Sequence, residues 1–194
     1  MVDGDADCPY VSRAGLKLAA GLDAFERDVR GKVCADLGCN VGGFTDCLLR
    51  RGAARVYAVD TGYGALAWTL RKDDRVIVME RTNALHADAP EPVDLVVIDV
   101  AWTPQRLILP AAGRWLKCGG QVLSLLKPQY EAAADRRKGV RKSDHVLDAA
   151  AAHGQCLKTC GELAAMDWTI RAVVRSPIVG AAGNVEFMIW ATPG

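Results

Sequence analysis

No apolar run in this 194-residue chain approaches the ~20 residues that a membrane-spanning helix needs. The opening, MVDGDADCPY, is acidic and polar, with neither the basic start nor the apolar middle of a signal peptide. Neither charge dominates: 24 Lys and Arg stand against 23 Asp and Glu, a formal net charge of +1. Any contact with nucleic acid must therefore come from a local basic patch. The 7 cysteines are an odd number. Cys34 lies in a strand-like run and Cys47 in a helix-like one, which argues against a disulfide framework and for a reducing, cytoplasmic setting. Cys156 and Cys160 lie one helical turn apart, with no second pair and no histidine at ligand spacing. They read as thiols, and no metal is expected. His86, His145 and His153 read as surface residues. Also missing is the G-x-G-x-x-G spacing of a dinucleotide site: in KVCADLGCNVGGFTDCLL the glycines fall at 38, 42 and 43.

What is present is ample apolar material, 51% of residues, enough for one domain with a real core. Short apolar runs recur as VCAD (33–36), VYAVD (56–60), RVIVME (75–80), VDLVVID (93–99) and VLSLLK (122–127). Helical patterns over about 43–51, 65–71, 104–117 and 143–166 alternate with them. Arg13–Phe25 reads as a further helix, with Ser12 as its N-cap. Near-continuous apolar strands alternating with helices predict a parallel sheet covered on both faces. MDWTIRAVV (166–174) and NVEFMIW (184–190) lie too close together for a helical crossover and predict an antiparallel hairpin.

Asp36, Asp60, Asp99 and Lys127 each close an apolar run at its carboxyl side, the edge where open parallel sheets bind ligands. A helix opening at Gly43 offers free backbone N–H groups to an anion. Asp60 is placed for a ribose diol and RTNAL (81–85), with Thr82 and Asn83, for an adenine. Asn40 adds a hydrogen-bonding side chain to a turn wider than a dinucleotide site has. A small amphoteric nucleoside fits, and S-adenosylmethionine has those parts; another nucleotide remains the alternative. Lys17 interrupts a stripe of small residues, Ala14, Gly21 and Ala24. It either reaches the sheet edge or snorkels to solvent. Glu186 alternates against Val185, Phe187 and Ile189, and lies either in the site or on a wet strand face.

YVSRAGLKLAAGLDAF, the long stretch from DLGCNVGGF to RTNA, LLKPQYE and SPIVGAAGNVEFMIW together resemble the hemolysin A (TlyA) family of ribosomal RNA methyltransferases. That family sits within the FtsJ-like class of 2′-O-methyltransferases. The resemblance runs from Tyr10 almost to the C-terminus, with four motifs in the family's order. It implies an α/β, Rossmann-like fold: a mostly parallel seven-stranded sheet with a C-terminal antiparallel hairpin, filling residues 10–194 behind an extended or disordered 1–9. It implies S-adenosyl-L-methionine as cofactor, RNA as substrate and a Lys-Asp-Lys-Glu tetrad matching Lys17, Asp99, Lys127 and Glu186. The family's cofactor loop matches Gly38, Asn40, Gly42, Gly43 and Phe44, its acidic neighbour Asp36, and its ribose-binding acid Asp60. On this reading Lys127 deprotonates a ribose 2′-hydroxyl, Asp99 orients Lys127 near the sulfonium, and Lys17 and Glu186 position the hydroxyl.

Three stretches depart from the family's pattern. About nine residues precede the first motif where the family carries a small RNA-binding domain, so a partner protein could supply RNA recognition. AAADRRKGVRK replaces a glycine-rich turn, and DVAW stands for DLSF. Within the first of these replacements Arg136, Arg137, Lys138, Arg141 and Lys142 read either as a phosphate contact or as a solvated loop. In the second, Trp102 reads either as a stacking surface for an unpaired base or as a buried ring. The competing functions are a small-molecule or protein methyltransferase of the same fold, and a catalytically silent RNA-binding or hemolysin-like protein.

Overall fold

The apolar runs become the strands of a single seven-stranded sheet in the computed structural model, which describes residues 8–135, 146–180 and 183–194. In chain order the elements are α1 (Ala14–Ala24), β1 (Val33–Leu37), α2 (Gly43–Arg50), β2 (Arg55–Val59), α3 (Trp68–Arg71), β3 (Val76–Met79) and β4 (Val93–Ile98). They continue with α4 (Gln105–Gly113), β5 (Leu116–Leu126), α5 (Pro128–Asp135), α6 (Ala149–Ala164), β6 (Trp168–Arg175) and β7 (Phe187–Pro193). The strand order is β3-β2-β1-β4-β5-β7-β6. The first five strands are parallel, while β7 runs antiparallel to both β5 and β6. The last two strands thus pair as expected, with β7 inserted between β5 and β6. Among the described residues no helix is long and apolar enough to cross a membrane.

Alternation along the strands divides the core in two. On one face Leu18, Leu22, Cys47 and Leu48 of α1 and α2 pack against Cys34, Val56, Val97 and Leu125. On the other, Ile108, Leu109, Ala152 and Leu163 of α4 and α6 pack against Ala35, Val59, Ile98, Leu126 and Phe187. That second group settles where the polar residues go. Asp36, Asp60, Asp99 and Lys127 each follow a member of it, and Glu186 precedes one. With period-two alternation all five are directed to the α1–α2 side of one sheet edge.

Several boundaries differ from those read in the sequence. Helix α1 begins at Ala14, with Arg13 in helical geometry at the cap position and no side-chain cap bond, so Ser12 does not cap it. Ser12 lies instead against the start of α2, where a Cβ on Gly43 would meet its Oγ at 2.2 Å. The helix expected to run to 117 ends at Gly113, because β5 starts at Leu116 and carries Leu116–Leu126 across the whole sheet. Helix α5 was not anticipated; Pro128 at its first position has no N–H to lose and a backbone angle already helical. Helix α6 starts at Ala149, where the Asp148 side chain accepts from the Ala151 N–H at 2.8 Å. The expected 65–71 helix shrinks to Trp68–Arg71. Strand β7 begins at Phe187, so Glu186 stands just before the strand.

Candidate active site

The loop between β1 and α2 is tied down before it reaches any ligand. The N–H groups of Gly38 and Cys39 donate to the Val59 carbonyl at 2.8 and 3.1 Å. The Asn40 N–H donates to Asp60 Oδ2 at 2.9 Å, and the Gly62 N–H to Asp60 Oδ1 at 2.7 Å. Asp60 therefore clasps two loops at once. Gly42, with φ 103°, caps α2 in the left-handed region that favours glycine. A Cβ there would meet the Leu70 side chain at 2.3 Å. At positions 42 and 43 the room left by glycine is taken by protein: Leu66 and Leu70 in one case, Ser12 and Ala14 in the other.

A cavity of about 420 Å³ opens at this sheet edge. Asp36, Gly38, Asn40, Gly43, Phe44, Asp60, Thr82, Asn83, Asp99 and Lys127 all border it. Gly42, Lys17 and Glu186 do not; Gly42 lies behind the loop, against Leu66 and Leu70. Ser12, Cys39, Val100 and Trp102 also border the cavity, and the sequence reading did not assign them to it. Asp36 is fully buried. Its Oδ2 accepts from Thr45 Oγ1 at 2.7 Å, and its Oδ1 has no partner among the described residues. Burial pushes this carboxyl up to about 7; Asp99 and Asp60 add to the rise, and the Thr45 hydrogen bonds oppose it. A buried acceptor without a donor on a cavity wall suits a ligand carrying a cation.

Lys127 Nζ lies 2.6 Å from Asp99 Oδ1 and donates to the Val100 carbonyl at 3.2 Å. The contact between Lys127 Nζ and Asp99 Oδ1 is an ion pair whose side chains are mostly buried. The second pair is Lys17 Nζ with Glu186 Oε2, 2.6 Å apart, with side chains 12% and 3% exposed. Neither snorkelling for Lys17 nor a wet strand face for Glu186 survives those values.

Two spacings bring the pairs together. In the β5–β7 ladder Leu126 lies opposite Phe187, and one residue beyond that last rung stand Lys127 and Glu186. On α1, Gly21 lies so close to β7 that a Cβ would meet Met188 Cγ at 2.6 Å. Four residues back along the helix is Lys17 and two back along the chain from Met188 is Glu186, displacements of about 6 Å in both. Of the small-residue stripe, Gly21 thus seats α1 on β7, Ala14 lies beside Gly43 of α2 and Ala24 is exposed, while Lys17 reaches the acid. A Cβ on Gly180 would meet Glu186 Oε1 at 2.1 Å, so the absence of a side chain there makes room for the carboxylate.

Trp102 is 48% exposed, not buried, and its ring lies 4.3 Å from that of Tyr130 at the cavity rim. His86 and His153 are exposed as expected. The basic cluster Arg136, Arg137, Lys138, Arg141 and Lys142 lies outside the described residues, as do His145 and residues 1–7. No group of His, Cys, Asp and Glu suited to a metal ion occurs among the described residues.

Comparison with known proteins follows the same lines. YqxC of Bacillus subtilis is 43% identical over 185 residues, a match covering 93% of this chain and 64% of that protein. The 16S/23S rRNA (cytidine-2′-O)-methyltransferase TlyA of Mycobacterium tuberculosis is 39% identical over 190 residues, covering 96% of this chain and 69% of that one. The chain thus spans about two thirds of the length of these relatives. A solved structure from Streptococcus thermophilus, named for hemolysin, superposes with a TM-score of 0.86 at 36% identity, covering 98% of this chain and 69% of that one. The family described as FtsJ-like methyltransferase matches residues 10–192. With the sheet order, the cavity at the carboxyl edge and these likenesses together, the chain belongs to the FtsJ-like methyltransferase family.

Proposed function

We propose that this protein is an S-adenosylmethionine-dependent RNA methyltransferase acting on a ribose 2′-hydroxyl, with ribosomal RNA as the substrate class. The observation that carries the reading is the Lys127–Asp99 pair on the cavity wall, with Glu186, paired to Lys17 of α1, across from Lys127 one residue beyond the last rung of the ladder. The cofactor's residues fit: unpartnered Asp36 Oδ1 takes its ammonium, Asp60 its ribose hydroxyls, and Thr82 and Asn83 its adenine. Gly38, Asn40, Gly43 and Phe44 wall the same space, and Gly42 fixes the turn from behind. The bound cofactor supplies an electrophilic methyl group on a positively charged sulfur.

The protein's own part is to place and deprotonate the nucleophile. A ribose hydroxyl is a weak acid, and Lys127 takes its proton through the lone pair of its neutral form. Asp99 orients the Lys127 amine for that exchange and holds the ammonium that the proton creates. Lys17 and Glu186 form a mostly water-excluded pair beside it that orients the 2′-hydroxyl. Trp102 with Tyr130 offers a ring surface at the rim for the base of the target nucleotide.

The direct test is incubation with methyl-labelled S-adenosylmethionine and ribosomal subunits or total RNA, followed by nuclease digestion and mapping. Label on a ribose supports the reading. Label on a base, on protein, or on a small molecule without RNA overturns it.

A further inference from the structure

Glu131 closes the LLKPQYE stretch, and the chemistry above does not use it. It is only 4% exposed, yet it is a carboxyl group. Its Oε1 accepts the backbone N–H of Gln105, the first residue of α4, at 2.9 Å. Gln105, itself 2% exposed, reaches β5 through its side chain. Its Oε1 accepts from Ser124 Oγ at 2.7 Å and its Nε2 donates to the Leu125 carbonyl at 3.3 Å. Glu131 also lies one helical turn after Lys127, its N–H donating to the Lys127 carbonyl at 3.3 Å.

These contacts close a ring. Lys127 touches Asp99 Oδ1 and the Val100 carbonyl; the chain from Val100 runs through Trp102 to Gln105; Gln105 meets Glu131; and Glu131 returns to Lys127. The strand end bearing one member of the pair and the loop bearing the other are joined at a single carboxyl group on the far face of the sheet. We infer that Glu131 is a positioning residue that sets the Lys127 ammonium against Asp99 by its reach to Gln105 rather than by its charge. This rests on the reading of Lys127 as the proton acceptor.

The surroundings agree with reach over charge. Burial pushes the Glu131 carboxyl up to about 7, with Asp135 of α5 and Glu162 of α6 adding to the rise and Arg106 of α4 opposing it. Either protonation state keeps an oxygen that can accept the Gln105 N–H.

Two near-isosteric variants separate the alternatives. Glu131→Gln keeps the length and an acceptor oxygen and removes the charge. Glu131→Asp keeps the charge and shortens the reach by one methylene. The expected result is a kcat within about twofold of wild type for Glu131→Gln and a fall of roughly tenfold or more for Glu131→Asp, with KM for RNA and Kd for S-adenosylmethionine little changed. Without turnover, the Lys127 side-chain Cε resonance, assigned through Lys127→Arg, should move in Glu131→Asp and overlay wild type in Glu131→Gln. The opposite ranking, no effect in either variant, or losses that merely follow Tm and cofactor affinity would each overturn the inference. Lys127→Ala in the same assay keeps the two ideas apart. Full turnover there removes the reading of Lys127 itself. A dead Lys127→Ala beside an unimpaired Glu131→Asp removes only the role of Glu131.

Discussion

Lys17 and Glu186 are 169 residues apart in the chain and 2.6 Å apart in space. Removing one partner of a pair this little exposed leaves the other charge stranded, at a cost on the order of 3 kcal/mol. Lys17→Met and Glu186→Gln singly should therefore each lower the urea midpoint and abolish most activity. The double variant should regain much of the stability and none of the turnover. A double variant whose loss equals the sum of the two single losses would show that the pair has no mutual dependence.

Gly180→Ala tests the seat of Glu186. The added methyl would fall 2.1 Å from Oε1, so the carboxylate must turn away from Lys17. A misplacement of about 1 Å commonly costs up to a hundredfold in rate, so kcat should fall at least tenfold while cofactor binding is kept. Calorimetric Kd values beside single-turnover rates would measure both; unchanged turnover would refute the geometry.

Asp36 makes the fold pH-sensitive. Its carboxyl is raised from 3.8 to about 7 in the folded chain, so its contribution to stability is present below pH 4 and lost as pH rises through 7. The loss is roughly 1.4 kcal/mol per pH unit in that window for one group. Glu131, raised from 4.5 to about 7, acts in the same direction. Urea midpoints of the cofactor-free protein should decline from pH 5 to pH 8, and Asp36→Asn should flatten the decline.

The same carboxyl gives the cofactor a proton signature. A cation placed against Asp36 favours the ionised form, so S-adenosylmethionine should bind more tightly as pH rises toward 8 and should release a fraction of a proton near pH 6.5. Titration calorimetry in buffers of different ionisation enthalpy reads that release. Asp36→Asn should bind at least tenfold more weakly and release none.

At the rim, Trp102→Ala should raise KM for RNA several-fold while the Kd of S-adenosylmethionine stays within about twofold, since stacking on one base is worth roughly 1–3 kcal/mol. Trp102→Phe should recover most of the loss. A change confined to cofactor binding would remove Trp102 from RNA contact.

Much of this site is readable without coordinates because its parts are local. An apolar run that stops at Asp60 or Asp99 shows in one pass where a strand ends and which edge it feeds. Helix α5 was missed because its short AAAD end has no apolar periodicity, and only Pro128 marks its start. The start of β7 was misplaced by three residues because Asn184 and Val185 alternate like strand residues. Just ahead of the strand, the Glu186 carbonyl accepts the Ser176 N–H at 2.9 Å and the Asn184 carbonyl accepts the Gly180 N–H at 2.8 Å.

The succession of strands and helices and the acids at the carboxyl edge follow from the residues themselves, since hydrophobic periodicity and turn chemistry act over a few neighbours; the set Lys17, Asp99, Lys127 and Glu186 came from the family resemblance. The partners of those residues do not. That Lys17 meets Glu186, that Gly43 makes room for Ser12, and that Glu131 is buried against Gln105 depend on how α1, α4 and α5 settle on the sheet. Such contacts come from the close packing of distant segments, and spacing along the chain carries no record of them.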